Sequence, residues 1–171
     1  MPKPAGAKTV WGLKSSHRSW SKFSIPSISL IVIAGLIFGL IYKNSGGACG
    51  TYRDDKTLII NGQAIQTEVA ATPAARQQGL SGRPCILANQ AMLFEFNQPG
   101  YYSFWMKDMR FPIDMVWLGA SKKVAWLQSD VQPATYPANF TNRNKAAQYV
   151  LELKANRAQQ LHLAIGSPVQ F

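Results

Sequence analysis

The chain has 171 residues, 47% of them hydrophobic, which is enough for one ordinary globular domain plus a short accessory segment. Its formal net charge of +10 is divided evenly: +5 precedes residue 23, and from Lys43 onward 13 basic residues face 8 acidic ones. No Arg-rich stripe interleaved with aromatics occurs, which sets nucleic acid aside as a partner and leaves anionic lipid or cell-wall polymer compatible with the charge.

The longest charge-free run is Phe23 to Tyr42, closed by Lys22 and Lys43, and its core from Ile28 to Tyr42 is almost wholly apolar. A helix rising about 1.5 Å per residue covers roughly 27 Å from Ile25 to Lys43, close to the hydrocarbon thickness of a bilayer. A buried soluble helix would need a polar stripe, and the run offers none. A transmembrane helix over 25–42, acting as a signal anchor, is therefore expected. Lys3, Lys8, Lys14, Arg18 and Lys22 precede it without an acidic residue, which places the tail (1–24) in the cytoplasm and the remainder outside. Trp20 and Tyr42 stand near the two ends of the span, as interfacial rings do. The competing reading is secretion after signal cleavage, with Gly46, Gly47 and Ala48 as small residues before Cys49. Gly35 and Gly39 form a GxxxG, which permits weak self-association of the helix.

Residues 43–56 are polar and glycine-rich, the composition of a flexible linker. Cys49 and Cys85 are the two cysteines, and outside the cytoplasm they are free to form a disulfide; two unpaired thiols satisfy the sequence as well.

The domain expected over 57–171 opens with strands Thr57 to Ile60 and Ala64 to Ala70 around Asn61-Gly62, a dipeptide that tolerates the positive φ angles of a tight hairpin. Thr72-Pro73 is an N-cap followed by proline at the first helical position, and Gly79 ends a short helix through Gln78. Further strands are expected at Met92 to Phe96, Tyr102 to Met106, Ile113 to Leu118 and Val124 to Gln132. An exposed loop (133–145) follows, then a strand from Gln148 to Leu153, a helix from Asn156 to Leu163 carrying His162, and a last short strand ending at Phe171. The fold class is mainly β: short strands at close spacing favour a compact antiparallel sandwich or barrel with two short helices, preceded by the transmembrane helix.

No GxSxG, HExxH, P-loop, GxGxxG or CxxC signature is present, and His162 is the one histidine beyond the membrane run, so no metal site and no cofactor are expected. The densest polar feature is the segment from Trp105 to Asp114. Asp108 and Asp114 are one candidate carboxylate pair, and Lys107 with Arg110 can hold an anion. Asp114 interrupts the apolar run of Ile113, Met115, Val116 and Trp117, where a buried carboxylate needs compensation; Arg76 or Arg83 is the expected partner. Glu152 lies in a strand, and simple alternation puts it on the solvent face opposite Leu151 and Leu153.

The blocks Glu68-Val69-Ala70, Arg76-Gln77-Gln78-Gly79-Leu80, Arg83, Met92-Leu93-Phe94, Phe104-Trp105-Met106-Lys107, Pro112-Ile113-Asp114 and Tyr149-Val150-Leu151-Glu152-Leu153 resemble, in order and spacing, the domain of unknown function 192 (DUF192) family. The resemblance runs from about Thr57 to Phe171. It implies a β-sandwich or barrel of jelly-roll character with short helices, often behind a signal sequence or membrane anchor, and no established activity. The chain departs from the family pattern at Ser81, where methionine is usual, at Asp108-Met109, where Asn-Thr is usual, and in lacking a cysteine before the last long strand.

These observations lead to a non-enzymatic, membrane-tethered extracytoplasmic module that binds a small ligand, envelope polymer or partner protein. The candidate ligand-binding residues are Arg76, Arg83, Trp105, Lys107, Asp108, Asp114 and Glu152. The alternative is a hydrolase using Asp108/Asp114 or Asp114/Glu152.

Overall fold

The structure, a computed structural model, describes residues 49–171. The expected transmembrane helix, the basic tail and the Gly35/Gly39 pair lie outside the described residues. Among the described residues no helix is long and apolar enough to cross a membrane.

The elements in chain order are β1 (Lys56–Ile60), β2 (Gln63–Ala70), α1 (Pro73–Gln78), β3 (Gln90–Gly100), β4 (Ile113–Leu118), β5 (Val124–Val131), β6 (Ala147–Lys154) and α2 (Arg157–Gln160). The β1–β2 hairpin turns on Asn61 and Gly62 with φ of 47° and 80°, the left-handed pair that a two-residue turn requires. Helix α1 starts as its sequence dictates: the Thr72 hydroxyl accepts from the Ala75 amide, Pro73 occupies the first turn, and Gly79 closes the helix at a φ of 49°.

All six strands lie side by side in one open sheet, in the order β1-β2-β3-β6-β4-β5. The fold is therefore mainly β with two short helices. The expectation of a wholly antiparallel arrangement is corrected at one pair, because β2 and β3 run parallel. A parallel neighbour requires a long crossover, and residues 71–89, which hold α1 and the Cys85 loop, supply it. The crossover passes over one face of the sheet and builds the candidate site there.

Alternation along the central strands sends side chains into two cores. Ala91, Leu93, Val116, Leu118, Leu151 and Leu153 share one face with Leu58 and Ile65, covered by Ala158, Leu161, Leu163 and Val169. Met92, Phe94, Met115, Trp117 and Val150 occupy the other, covered by Leu80, Ile86, Phe104 and Met106. Both faces of β4 are consequently buried from end to end.

Other expectations shift in detail. Tyr102 to Met106 forms no sheet strand; Phe104 alone makes an isolated bridge, to Phe140. Helix α2 is shorter than its periodic pattern and ends before His162, which sits at a φ of 52°. The C-terminal segment makes isolated bridges rather than a strand, Pro168 to Lys123 beside β5 and Gln170 to Ile59 of β1. It thus hydrogen-bonds at both edges of the sheet.

Residues 50–55, read as flexible linker from composition, are tied to the sheet instead. The Tyr52 hydroxyl accepts from the amides of Ala91 (3.0 Å) and Glu68 (3.1 Å) and reaches the Gln66 carbonyl, between β2 and β3. Burial is the main reason its pKa is pushed up to about 12. Cys49 and Cys85 are joined in a disulfide, with Cα atoms 4.8 Å apart. Glycine content hid these contacts because the anchoring groups are scattered single residues: Tyr52, Cys49, Arg53, which bonds Glu68 and Val69, and Asp55, which bonds Thr67 and Val69.

Candidate functional site

Asp114 lies fully buried on the face that also holds Leu153 and α2. Its carboxylate accepts from three backbone amides: Asp130 (2.9 Å), Asn156 (3.0 Å) and Ala158 (2.7 Å). The expected partnership with Arg76 or Arg83 is corrected, since amides satisfy this carboxylate without an arginine. The residue locks a β5 irregularity and the start of α2, which is a structural task.

The opposite face carries the acidic groups that matter for a site. Strand register aligns Glu68, Met92, Glu152 and Met115 in one row across β2, β3, β6 and β4. Neighbouring strands are about 4.8 Å apart, so the two glutamates stand roughly 10 Å from each other along the sheet. Arg83, from the crossover loop, forks onto Glu68 with bonds of 2.8 and 2.7 Å. The Arg53 amide adds a third, at 2.9 Å. Burial alone would raise the Glu68 pKa, but the Arg83 bonds and the Arg53 amide outweigh it and hold it below the usual glutamate range. Arg83 is held above its ordinary value, first by the same bond to Glu68.

Glu152 differs. It is 4% exposed, no hydrogen bond reaches its carboxyl among the described residues, and its Oε2 is buried without a partner. Desolvation pushes its pKa up to about 8, against the opposing attraction of the Arg83 charge. At neutral pH the group is largely a neutral carboxylic acid, carrying an O–H donor beside a carbonyl acceptor. The sequence expectation of a solvent-facing Glu152 fails because β6 lies between β3 and β4 with both faces covered, so alternation leads into a second core.

Above Glu152 is a recess of about 70 Å³ bounded by α1, the turn after it and residues 103–109. It opens beside a broader cleft of about 520 Å³, and Gln77, Gln78, Ser81 and Trp105 line both. Extended backbone at Phe104-Trp105-Met106 turns Phe104 and Met106 inward and leaves the Trp105 ring 47% exposed at the seam. Two bonds hold the walls together: the Ser81 hydroxyl donates to the Lys107 carbonyl (2.8 Å), and the Gly82 amide donates to the Asp108 carbonyl (2.8 Å). Arg76 lines the recess, yet its guanidinium is engaged with the Ala71 and Glu95 carbonyls and stacks over Phe96.

The sequence-derived candidates therefore divide. Arg76, Trp105 and Glu152 meet at the recess, while Lys107 and Asp108 line the outer cleft. Arg83 lines neither space and is paired with Glu68, and Asp114 faces the other side of the sheet. Neither proposed carboxylate pair converges: Asp114 and Glu152 point to opposite faces of adjacent strands, and Asp108 is exposed in a loop. Glu68, Gln78, Ser81 and Ser103 were not singled out from sequence. Glu68 lacks the signal that marked Asp114, because Gln66 and Thr67 precede it and it interrupts no apolar run.

Residues 56–171 match the model of the DUF192 family, described as an uncharacterized ACR. Two crystal structures share the fold. One, of a Sinorhizobium meliloti 1021 protein described as a "putative transcription regulator", is 26% identical with a TM-score of 0.62, over 67% of this chain and 89% of its own. The other, a protein of unknown function from Novosphingobium aromaticivorans DSM 12444, is 24% identical with a TM-score of 0.61, over 67% of this chain and 82% of its own. No curated protein matches significantly.

Proposed function

We propose that this chain, which belongs to the DUF192 family, is a membrane-tethered extracytoplasmic module that binds a small neutral group in the recess over Glu152. The unpartnered Oε2 of Glu152 carries this reading. A buried polar atom without a partner costs about 1–3 kcal/mol, and a ligand that hydrogen-bonds it recovers that loss at the moment of binding. The site has one unsatisfied acid and no second carboxylate converging on it, which favours binding over the hydrolase alternative.

The tether rests on the apolar run Ile28 to Tyr42 and its basic N-terminal flank. The Cys49–Cys85 disulfide supports an oxidising compartment for the domain. Contacts of the C-terminal segment at both sheet edges support a barrel-like curl of the sheet around the Leu93/Leu151 core. The transcription role in the Sinorhizobium protein's description is not carried over, because this sequence has no Arg-rich stripe interleaved with aromatics.

Protease added to right-side-out vesicles tests the topology: it removes the outer domain and spares the tail, whereas protection of the domain overturns the orientation. Acetamide and ethylene glycol, titrated into labelled full-length protein in detergent micelles, test the site by NMR. Shifts concentrated at Gln78, Ser81 and the Trp105 indole are expected, and shifts spread without preference over the surface refute the site.

A further inference from the structure

We infer that the ligand is a saccharide bearing an acetamido group, with its ring seated on Trp105 and the acetamido group placed in the recess against Glu152. This rests on the binding reading above.

Size selects the group. A recess of about 70 Å³ lies well below the roughly 300–1,000 Å³ of sites that enclose a whole small molecule, so it takes a substituent rather than a sugar ring. The adjoining cleft, at about 520 Å³, falls within the range of small-molecule sites and accommodates the ring.

Charge selects it further. The Arg76 guanidinium is occupied by two carbonyls and Arg83 by Glu68, so neither cation is free to demand an anion in the recess. A neutral carboxylic acid presents an O–H donor, and an amide carbonyl is a stronger acceptor for it than a hydroxyl oxygen. The N–H of a trans secondary amide is directed away from that carbonyl, so its partner is one of the polar side chains that also line the recess, Gln78, Ser81 or Ser103. The methyl end of an acetamido group also has a place, because Phe104 and Met109 line the same recess as Glu152.

The rim selects the ring. Trp105 is half exposed where recess and cleft meet, and an indole face there offers the flat apolar platform on which the C–H face of a pyranose rests. Amide and hydroxyl groups of Gln77, Gln78 and Ser81 border both spaces, and like sugar hydroxyls they donate and accept.

Protonation makes the inference pH-sensitive. The charged groups around Glu152 are Arg83 from the crossover loop, bonded to Glu68 of β2, and Arg76 of α1; Met92 of β3 and Met115 of β4 flank it in the sheet. Lys107 and Asp108 border the outer cleft alone. Losing the acid proton removes the donor that the acetamido carbonyl needs.

Full-length protein in detergent micelles, titrated by calorimetry and NMR with N,N′,N″-triacetylchitotriose, cellotriose and acetamide, tests this. Chitotriose is expected to bind saturably and about tenfold or more tighter than cellotriose. Trp105→Ala should weaken chitotriose by about tenfold or more without lowering Tm. Wild-type affinity for chitotriose should fall as pH rises through about 8, and Glu152→Gln, whose amide N–H replaces the acid donor, should bind with little pH dependence. Equal affinity for chitotriose and cellotriose, or indifference to Trp105→Ala, overturns the saccharide assignment. If acetamide still shifts Gln78 and Ser81 in that case, the recess stands as a binding site with another ligand. If no probe shifts them, both readings fall.

Discussion

Glu152→Gln is expected to abolish most of the dependence of stability on alkaline pH. In the folded chain the Glu152 pKa stands near 8, against an ordinary value of 4.5. The folded state therefore keeps a proton that the unfolded state releases. The associated stability is complete below about pH 4.5 and is lost as pH rises through about 8. Between about pH 5 and pH 9 these two values correspond to a loss on the order of 4 kcal/mol. A domain of this size has a urea m value of about 1–2 kcal/mol/M, so the wild-type midpoint should fall by about 2–4 M urea over that range. The glutamine variant keeps the shape of the side chain without the proton, and its midpoint should stay nearly level. Every ionisable group other than Glu152 is common to both proteins, so the difference between the two profiles isolates Glu152. Urea titrations followed by circular dichroism, on full-length chain in nonionic detergent, make the measurement. Parallel profiles for the two proteins would falsify the assignment of Glu152 as a buried acid.

Arg83→Ala should destabilise by roughly 3 kcal/mol, because it leaves the carboxylate of Glu68 buried without its fork; combining it with Glu68→Gln should cost less than the sum of the two, and an additive cycle refutes the coupling. Asp114→Asn should cost about 2–3 kcal/mol by turning a donor toward at least one of the three amides that the carboxylate accepts. Arg76→Ala should be additive with it, and a coupling above about 0.5 kcal/mol would restore the arginine partnership. Cys49→Ser with Cys85→Ser should remove roughly 4 kcal/mol, the loop-closure value for a sequence separation of 36, and unchanged urea midpoints would show that the bridge leaves the unfolded chain unconstrained.

Much of the fold was legible because local chemistry and tertiary context agree there. Asn61-Gly62 demanded positive φ, Thr72-Pro73 demanded a helix start, and both occur where the sequence places them. The aromatic run Tyr102 to Met106 has a strand's composition but finds no sheet neighbour apart from Phe140, since β4 is already flanked by β5 and β6. Parallel pairing of β2 with β3 was not legible from strand composition. It depends on the crossover's path, a non-local fact that alternation within each strand does not encode.

The site was legible in its members and not in their grouping. Asp114 and Glu152 each interrupt an apolar strand, and from sequence Asp114 looked the more consequential. Register reverses that order. Met115 pairs with Glu152, so Asp114 is turned to the opposite face, where backbone amides from β5 and α2 satisfy it completely. Glu152 is turned beneath the crossover, where the available arginine is already committed to Glu68. Two buried acids on adjacent strands thus end in opposite states, one fully bonded and one with an unpartnered oxygen. What separates them is where the donors of each covering layer are spent: over Glu152, Arg76 is bonded to the Ala71 and Glu95 carbonyls, the Gln78 amide to the Ser81 carbonyl and the Ser81 hydroxyl to the Lys107 carbonyl, which leaves the bonding partner to come from outside.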